Sequence, residues 1–141
     1  DAVRFGALSE THRRWYQASW FAHHGKKRVN TKPTGYVAPP LDGIWASAPY
    51  FHNGAVPTLW GVLNADQRPL IWKRSENGYN QQQVGLAVTQ YQQLPDNLKD
   101  RWEQRQFFNT QLPGKSAAGH RFPDVLTAPQ KQAVLEYLKT L

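Results

Sequence analysis

The sequence predicts a mainly α-helical domain with long irregular loops. One reason is the end of the chain, where a cap residue precedes an apolar stripe in LTAPQKQAVLEYLKTL. A second is an amphipathic pattern over residues 9 to about 23. The loops are predicted because Pro and Gly interrupt residues 43–63, while Asn, Gln and Gly are frequent in residues 74–93.

The N-terminal part reads as one helix and a linker. Ser9 can cap this helix and Gly25 can stop it. A polar and basic connection follows, and the paired prolines at positions 39 and 40 forbid a further helix there. We therefore assign residues 1–34 to an N-terminal helix with a basic linker, and residues 35–141 to a second domain.

Helices in the second domain are predicted from local signals. Pro57 suits the start of a short helix, and residues 96–106 predict another. Residues 74–93 are expected to be irregular surface structure, and residues 109–124 a loop. The terminal helix is the clearest, because Thr127 is a natural N-cap and a proline follows in the first turn. Its apolar stripe consists of Val134, Leu135, Leu138 and Leu141.

The composition excludes several kinds of site. The chain has no Cys, which excludes disulfides, iron–sulfur clusters, thiolate zinc sites and covalent haem attachment through C-x-x-C-H on this chain. It has no Met, which excludes a thioether metal ligand. The net charge of +7 is spread over short basic clusters, which favours docking to an acidic partner over nucleic-acid binding. No apolar run approaches the ~18 residues that a membrane span needs.

Candidate chemistry centres on the histidines, because no G-x-S-x-G, phosphate loop or paired carboxylates support a conventional hydrolase or nucleotide enzyme. None of the five has the spacing of a zinc site. His120 differs because it lies in AAGHRFP, where small neighbours let a flat group approach the backbone. Imidazole suits iron as a ligand. The alternative is a loop histidine that is hydrogen-bonded to a carbonyl group.

The segment GIWASAPYFHNGAVPTLWGVL places several aromatic side chains around Pro and Gly corners. Such a segment can hold a large, flat, apolar partner, although ordinary core packing is the alternative. In order along the chain, PLDGIWASAPYFHNGAVPTLWGVL, FNTQLPGKSAAGHRFPDVL and the terminal helix resemble c-type cytochromes of the di-haem cytochrome c peroxidase and rubber oxygenase group. The resemblance covers roughly residues 35–141. It implies a cytochrome c-like helical domain that lacks the haem-attachment segment.

The resemblance also implies roles for individual residues. His120 occupies the loop that carries the distal axial ligand in small c-type cytochromes, so it is expected to ligate the iron and to give bis-histidine coordination. This ligation has a lower potential than Met/His. His52 is expected to order the pocket with the residues beside it, and Trp45 and Phe122 to line the faces of the macrocycle. The expected haem-binding residues are Trp45, Tyr50, Phe51, His52, Asn53 and Phe122.

The missing Cys residues are the departure from this group. Haem c is then expected on an N-terminal part or a partner chain, and a scaffold that has lost haem is the alternative. The chain is expected to complete a haem pocket for electron transfer in an exported, for example periplasmic, protein. Whether the assembly is a peroxidase- or oxygenase-like oxidoreductase is open. Two rival functions are a haem-free interaction subunit and a basic nucleic-acid-binding module.

Overall fold

The computed structural model describes residues 10–20 and 40–141. The chain divides into two units, Asp1–Pro40 and Leu41–Leu141. In the first unit, helix α1 spans Glu10–Ala18. The predicted helix is therefore present, but it ends before the described Ser19 and Trp20 and is shorter than predicted. Ser9, His23 and Gly25 lie outside the described residues. The predicted domain boundary between residues 34 and 35 also lies outside them and stays a prediction.

The second unit mixes helices with strands. Its longer elements follow the chain as α2 (Leu59–Leu63), β1 (Ile71–Asn80), β2 (Gly85–Tyr91), α3 (Arg101–Arg105), β3 (Phe107–Asn109) and α4 (Ala128–Leu138). Short 3-10 helices occur at Ile44–Ala46, Ala65–Gln67 and Phe122–Val125.

The prediction of a mainly α fold is wrong. The three strands form an antiparallel sheet in the order β2-β1-β3, with Ile71 opposite Tyr91 on one side and Asn109 on the other. Trp72 lies opposite Phe108, and their rings stack with centroids 5.2 Å apart. Such cross-strand aromatic pairs stabilise a sheet. They join residues that are distant in sequence, so no local periodicity announces them.

The β1–β2 hairpin replaces the irregular structure expected for residues 74–93. Its ladder is interrupted between Arg74 and Tyr79, where a left-handed Gly78 lies. The turn is closed by Asn80, whose side-chain oxygen accepts a hydrogen bond from the Gln83 backbone N–H at 2.9 Å. A ladder is made of backbone hydrogen bonds, so polar side chains on its open face are compatible with a strand. The polar composition was therefore a misleading signal.

The helix predictions fare better. Helix α2 begins after Thr58, whose side chain accepts a hydrogen bond from the Gly61 N–H. Helix α3 is shorter than the predicted 96–106 and begins after Asp100, which caps it. The predicted terminal helix is confirmed as α4 with Thr127 at its N-cap, although it ends at Leu138, before Leu141 of the predicted stripe. Gln130 completes that cap because its side chain accepts a hydrogen bond from the Thr127 N–H at 2.8 Å.

The core of this unit lies between α2, α4, the hairpin turn and the aromatic segment. Leu135 of α4 is 1% exposed, and Val134 and Leu138 pack against the same cluster. The other buried members of the cluster are Tyr50, Ala55, Val56, Leu59, Leu63, Val84 and Ala117. The aromatic segment and the loop before α4 thus both contribute directly to the core.

Candidate functional site

The site is built on a tight turn within the aromatic segment. Tyr50 and Val56 exchange backbone hydrogen bonds of 2.7 and 3.3 Å, which close a loop over the five residues from Phe51 to Ala55. Gly54 has a φ of +69° and Phe51 has a φ of +67°. Left-handed backbone is sterically costly for a residue as large as Phe. The turn therefore holds Phe51 in a conformation that its surroundings must enforce.

Tyr50 connects this turn to the core. It is 6% exposed, and its hydroxyl group donates a hydrogen bond to the Ile44 carbonyl at 2.9 Å. Burial raises the pKa of the phenol above its ordinary value of 10.0, with a smaller contribution from Tyr79. The Tyr79 hydroxyl donates to the Trp45 carbonyl at 2.6 Å. Two tyrosines thus hold the 3-10 helix that carries Trp45.

The loop before α4 brings His120 to the turn. The His120 ring lies with its centroid 4.9 Å from that of Phe51 and 6.0 Å from that of His52. Phe122 follows at 6.3 Å. His120 also has a left-handed backbone, with φ of +58°. Two residues with unusual backbone geometry, Phe51 and His120, are therefore in ring contact, as is common at functional sites.

Asn53 ties the turn to the beginning of the same loop. Its amide NH2 group donates to the Ser116 carbonyl at 2.9 Å and to the Gly114 carbonyl at 3.3 Å. Its side-chain oxygen accepts a hydrogen bond from the Ala55 N–H at 3.1 Å. Asn53 therefore links the two segments through polar contacts.

Arg68 was not recognised in the sequence. It follows the 3-10 helix Ala65–Gln67, and its guanidinium group donates to backbone carbonyls, including those of Ala117, Gly119 and His120. Its carbon Cζ lies 4.8 Å from the centroid of the Phe51 ring. Burial lowers the pKa of Arg68, and nearby carboxylates oppose this shift. No pattern in the sequence marks this arginine, because a charged residue in a turn normally faces solvent.

Arg121 holds the other side of the His120 loop. It makes ion pairs of 2.8 Å with Asp66 and 2.7 Å with Asp124. These hydrogen bonds, first the one to Asp66, raise the pKa of Arg121. The interaction joins the loop to the 3-10 helix Ala65–Gln67 at an exposed position.

The predicted site residues are brought together only in part. Phe51, His52, His120 and Phe122 form one cluster of rings, whereas Tyr50 and Asn53 support it from the core and the loop. Phe122 is 81% exposed and Trp45 is 45% exposed. No ring contact joins Trp45 to the cluster among the described residues. The roles assigned to these residues remain predictions.

Two other features are absent from the described residues. Within residues 10–20 and 40–141, no group of three or more His, Cys, Asp or Glu side chains is placed to hold a metal ion. In the same ranges, no helix has the length and apolar character required to cross a membrane.

Comparison with known proteins gives one family and two relatives. Residues 35–73 match the family described as RoxA-like, cytochrome c-like. The chain is 38% identical over 119 residues to the uncharacterised protein y4iJ of Sinorhizobium fredii. The aligned region covers 77% of this chain and 18% of y4iJ. The chain is 49% identical over 61 residues to the uncharacterised protein y4iM of the same organism, which covers 43% of this chain and 14% of y4iM.

The chain therefore spans less than a fifth of the length of these relatives. The family match includes the aromatic segment and Arg68, and it ends before the loop with His120. It points to haem c as the cofactor and to a haem-related electron-transfer role. The resemblance predicted from the sequence is thus confirmed: this chain contains a RoxA-like, cytochrome c-related region at residues 35–73.

Proposed function

We propose that this chain completes a haem c pocket and supplies His120 as the distal axial ligand for electron transfer. The haem is covalently attached to another segment or chain, since no Cys is present here. The observation that carries the proposal is the convergence of His120, His52 and two phenylalanine rings from segments far apart in sequence.

The residues at this position fit a haem group. His120 is exposed, and imidazole is a common axial ligand of haem iron. The exposed Phe122 and Val125 follow it and provide an apolar surface for a porphyrin. A Cβ atom on Gly119 would meet no atom within 4 Å, so the backbone next to His120 has open space around it. A planar group can therefore approach the imidazole.

Each residue then has a distinct task. His120 provides the nitrogen lone pair for the iron, while Phe122 offers its ring to the macrocycle. The Nε2 atom of His52 is shielded from solvent, and its ring helps to set the environment of His120. Tyr50 and Asn53 keep the turn in place through their hydrogen bonds. Haem, when bound, supplies the one-electron couple of its iron.

The wider setting follows from this role. The partner is the haem-bearing part of a longer protein or a separate chain, and the whole is an exported oxidoreductase. If His120 and a histidine of the attachment segment held the haem, no ligand position would be left open, so the group would supply electron transfer and not a reaction with peroxide or oxygen. The net charge of +7 suits docking to an acidic redox partner.

A haem c peptide that already carries one histidine ligand and has an open axial position is a direct probe of this role. We expect the chain to convert the peptide to the low-spin form in an absorption titration. His120→Ala removes the ligand nitrogen and should therefore weaken this conversion at least about tenfold. A tenfold change corresponds to the loss of about 1.4 kcal/mol of binding free energy. His12→Ala removes another exposed histidine in the described α1 and should leave the titration within about twofold.

Circular dichroism of the variants verifies that each remains folded. Equal titrations for His120→Ala and the unmodified chain would contradict the ligand assignment. The exposed Phe122 and Trp45 also suit a protein interface, where aromatic side chains are frequent anchors. That second function, a haem-free interaction subunit, predicts no low-spin conversion even with the unmodified chain.

A further inference from the structure

Arg68 uses its whole guanidinium group on backbone carbonyl groups. An arginine side chain has five N–H donors. Two of them donate to the carbonyl oxygens of Gly61 and Val62 in α2, at 2.8 and 3.2 Å. The other three reach Ala117, Gly119 and His120, at 2.7, 2.6 and 3.1 Å. One side chain thereby joins the α2 region to the loop that ends at His120.

The Arg68 guanidinium group also contacts Phe51, whose ring is in contact with that of His120. Phe51 and His120 both have positive φ angles. Such conformations persist only where the surrounding structure enforces them. Arg68 is placed to enforce both, because it binds the His120 carbonyl oxygen and packs on the Phe51 ring.

The neighbouring charges leave Arg68 available for this task. Asp66 and Asp124 are the carboxylates nearby, and both are engaged in direct ion pairs with Arg121. All five hydrogen bonds of Arg68 therefore go to neutral oxygens. A planar fork with fixed donor directions meets five acceptors at once, which a lysine ammonium group cannot reproduce.

We infer that Arg68 is the positioning residue of the site and holds the His120 loop so that the imidazole is oriented before haem binds. This inference rests on the proposed function, in which His120 is the axial ligand. By holding the loop in one conformation, Arg68 reduces the conformational entropy that the loop loses when His120 binds iron. Arg68 acts through the backbone carbonyl of His120 and the ring of Phe51.

The first test needs no haem. The chain is labelled for NMR, and the intraresidue HN–Hα NOE of His120 and Phe51 is measured, because this NOE is strong when φ is positive. We expect strong NOEs in the unmodified chain and their loss at His120 in Arg68→Lys, which keeps the charge but not the fork. Arg105→Lys, at an exposed position of α3, is the matched control, and its His120 NOE should stay strong.

The second test is the titration with the haem c peptide. Arg68→Lys should weaken low-spin conversion about tenfold although His120 is intact, whereas the control Arg105→Lys should change it less than twofold. Unchanged NOEs in Arg68→Lys together with an unchanged titration would overturn the inference. Another outcome is loss of the NOE at His120 in Arg68→Lys while His120→Ala leaves the peptide titration unchanged. That pair of results would support the positioning role of Arg68 and refute the proposed function.

Arg68→Lys could also unfold the domain, so a measurement on the unmodified chain accompanies it. With all donors bonded, the Arg68 Nη protons should give separate NMR signals that exchange slowly with water. A single averaged, fast-exchanging signal would overturn the inference without any variant.

Discussion

Gly85, the first residue of β2, lies against the backbone just before α2. Its replacement by alanine should be among the most damaging changes in the unit. Its φ is +153°, and a Cβ atom would lie 2.7 Å from the Thr58 Cα and closer still to the Pro57 carbonyl oxygen. Carbon atoms in contact normally lie ~3.5–4.0 Å apart, so one backbone would have to shift by roughly 1 Å. That shift would strain the hydrogen bond from the Leu86 N–H to the Pro57 carbonyl, which is 2.9 Å long.

The expected loss follows from two terms. A backbone conformation reserved for glycine costs about 1–3 kcal/mol in another residue, and forced close packing costs about 1–3 kcal/mol more. Gly85→Ala should therefore lower the free energy of unfolding by about 2–6 kcal/mol. Gly78 is the matched control because its φ is +73° but a Cβ atom there would meet nothing within 4 Å. Gly78→Ala should cost only about 1–2 kcal/mol.

Urea unfolding, followed by tryptophan fluorescence, measures both values. With mid-range losses of about 4 and about 1.5 kcal/mol and a slope of about 1–3 kcal/mol per M urea, Gly85→Ala should lower the midpoint by about 1–2.5 M relative to Gly78→Ala. Equal midpoints for the two variants would refute the reasoning, because strain in φ would then account for the whole effect. The close approach of the hairpin to residues 57 and 58 would have no energetic weight.

Two further predictions concern the core and the pH dependence of stability. Leu135→Ala should lower the free energy of unfolding by about 2–5 kcal/mol in the same urea assay, whereas Val125→Ala, at an 87% exposed position, should change it by less than about 0.5 kcal/mol. Similar losses would contradict the packing of α4. The raised pKa of Tyr50 means that the folded protein retains the phenol proton more tightly than the unfolded chain, so stability is complete below about pH 10 and falls as the pH rises further. Tyr50→Phe should flatten this fall in urea midpoints measured from about pH 8 to about pH 11, and a slope equal to that of the unmodified chain would refute it.

The resemblance could be recognised from sequence because it depends on short motifs in a fixed order. APYFHNG and the terminal helix are contiguous stretches, so each is visible in a single sequence. The terminal helix was predictable for the same reason, since the Thr127–Gln130 cap joins residues only three positions apart. The turn with Phe51 and His52 and the loop with His120 could also be singled out by their residue types.

The sheet could not be predicted in this way. Ile71 pairs with both Tyr91 and Asn109, and Trp72 stacks on Phe108. These partners are separated by many residues, and the intervening strand residues are polar enough to resemble a surface loop. Backbone pairing and one covered face stabilise them, and neither leaves a clear periodic pattern in the sequence.

The sequence by itself determined the cytochrome c-related region, the terminal helix and the candidate histidine, because these depend on residue identity and on contacts within a few positions. Only the tertiary structure decided that the domain carries a sheet, that Phe51 meets His120, and that Arg68 binds the loop between them. Those features arise from contacts between distant segments. An arginine that donates to five carbonyl groups can be recognised only when the chain has brought those oxygens around it.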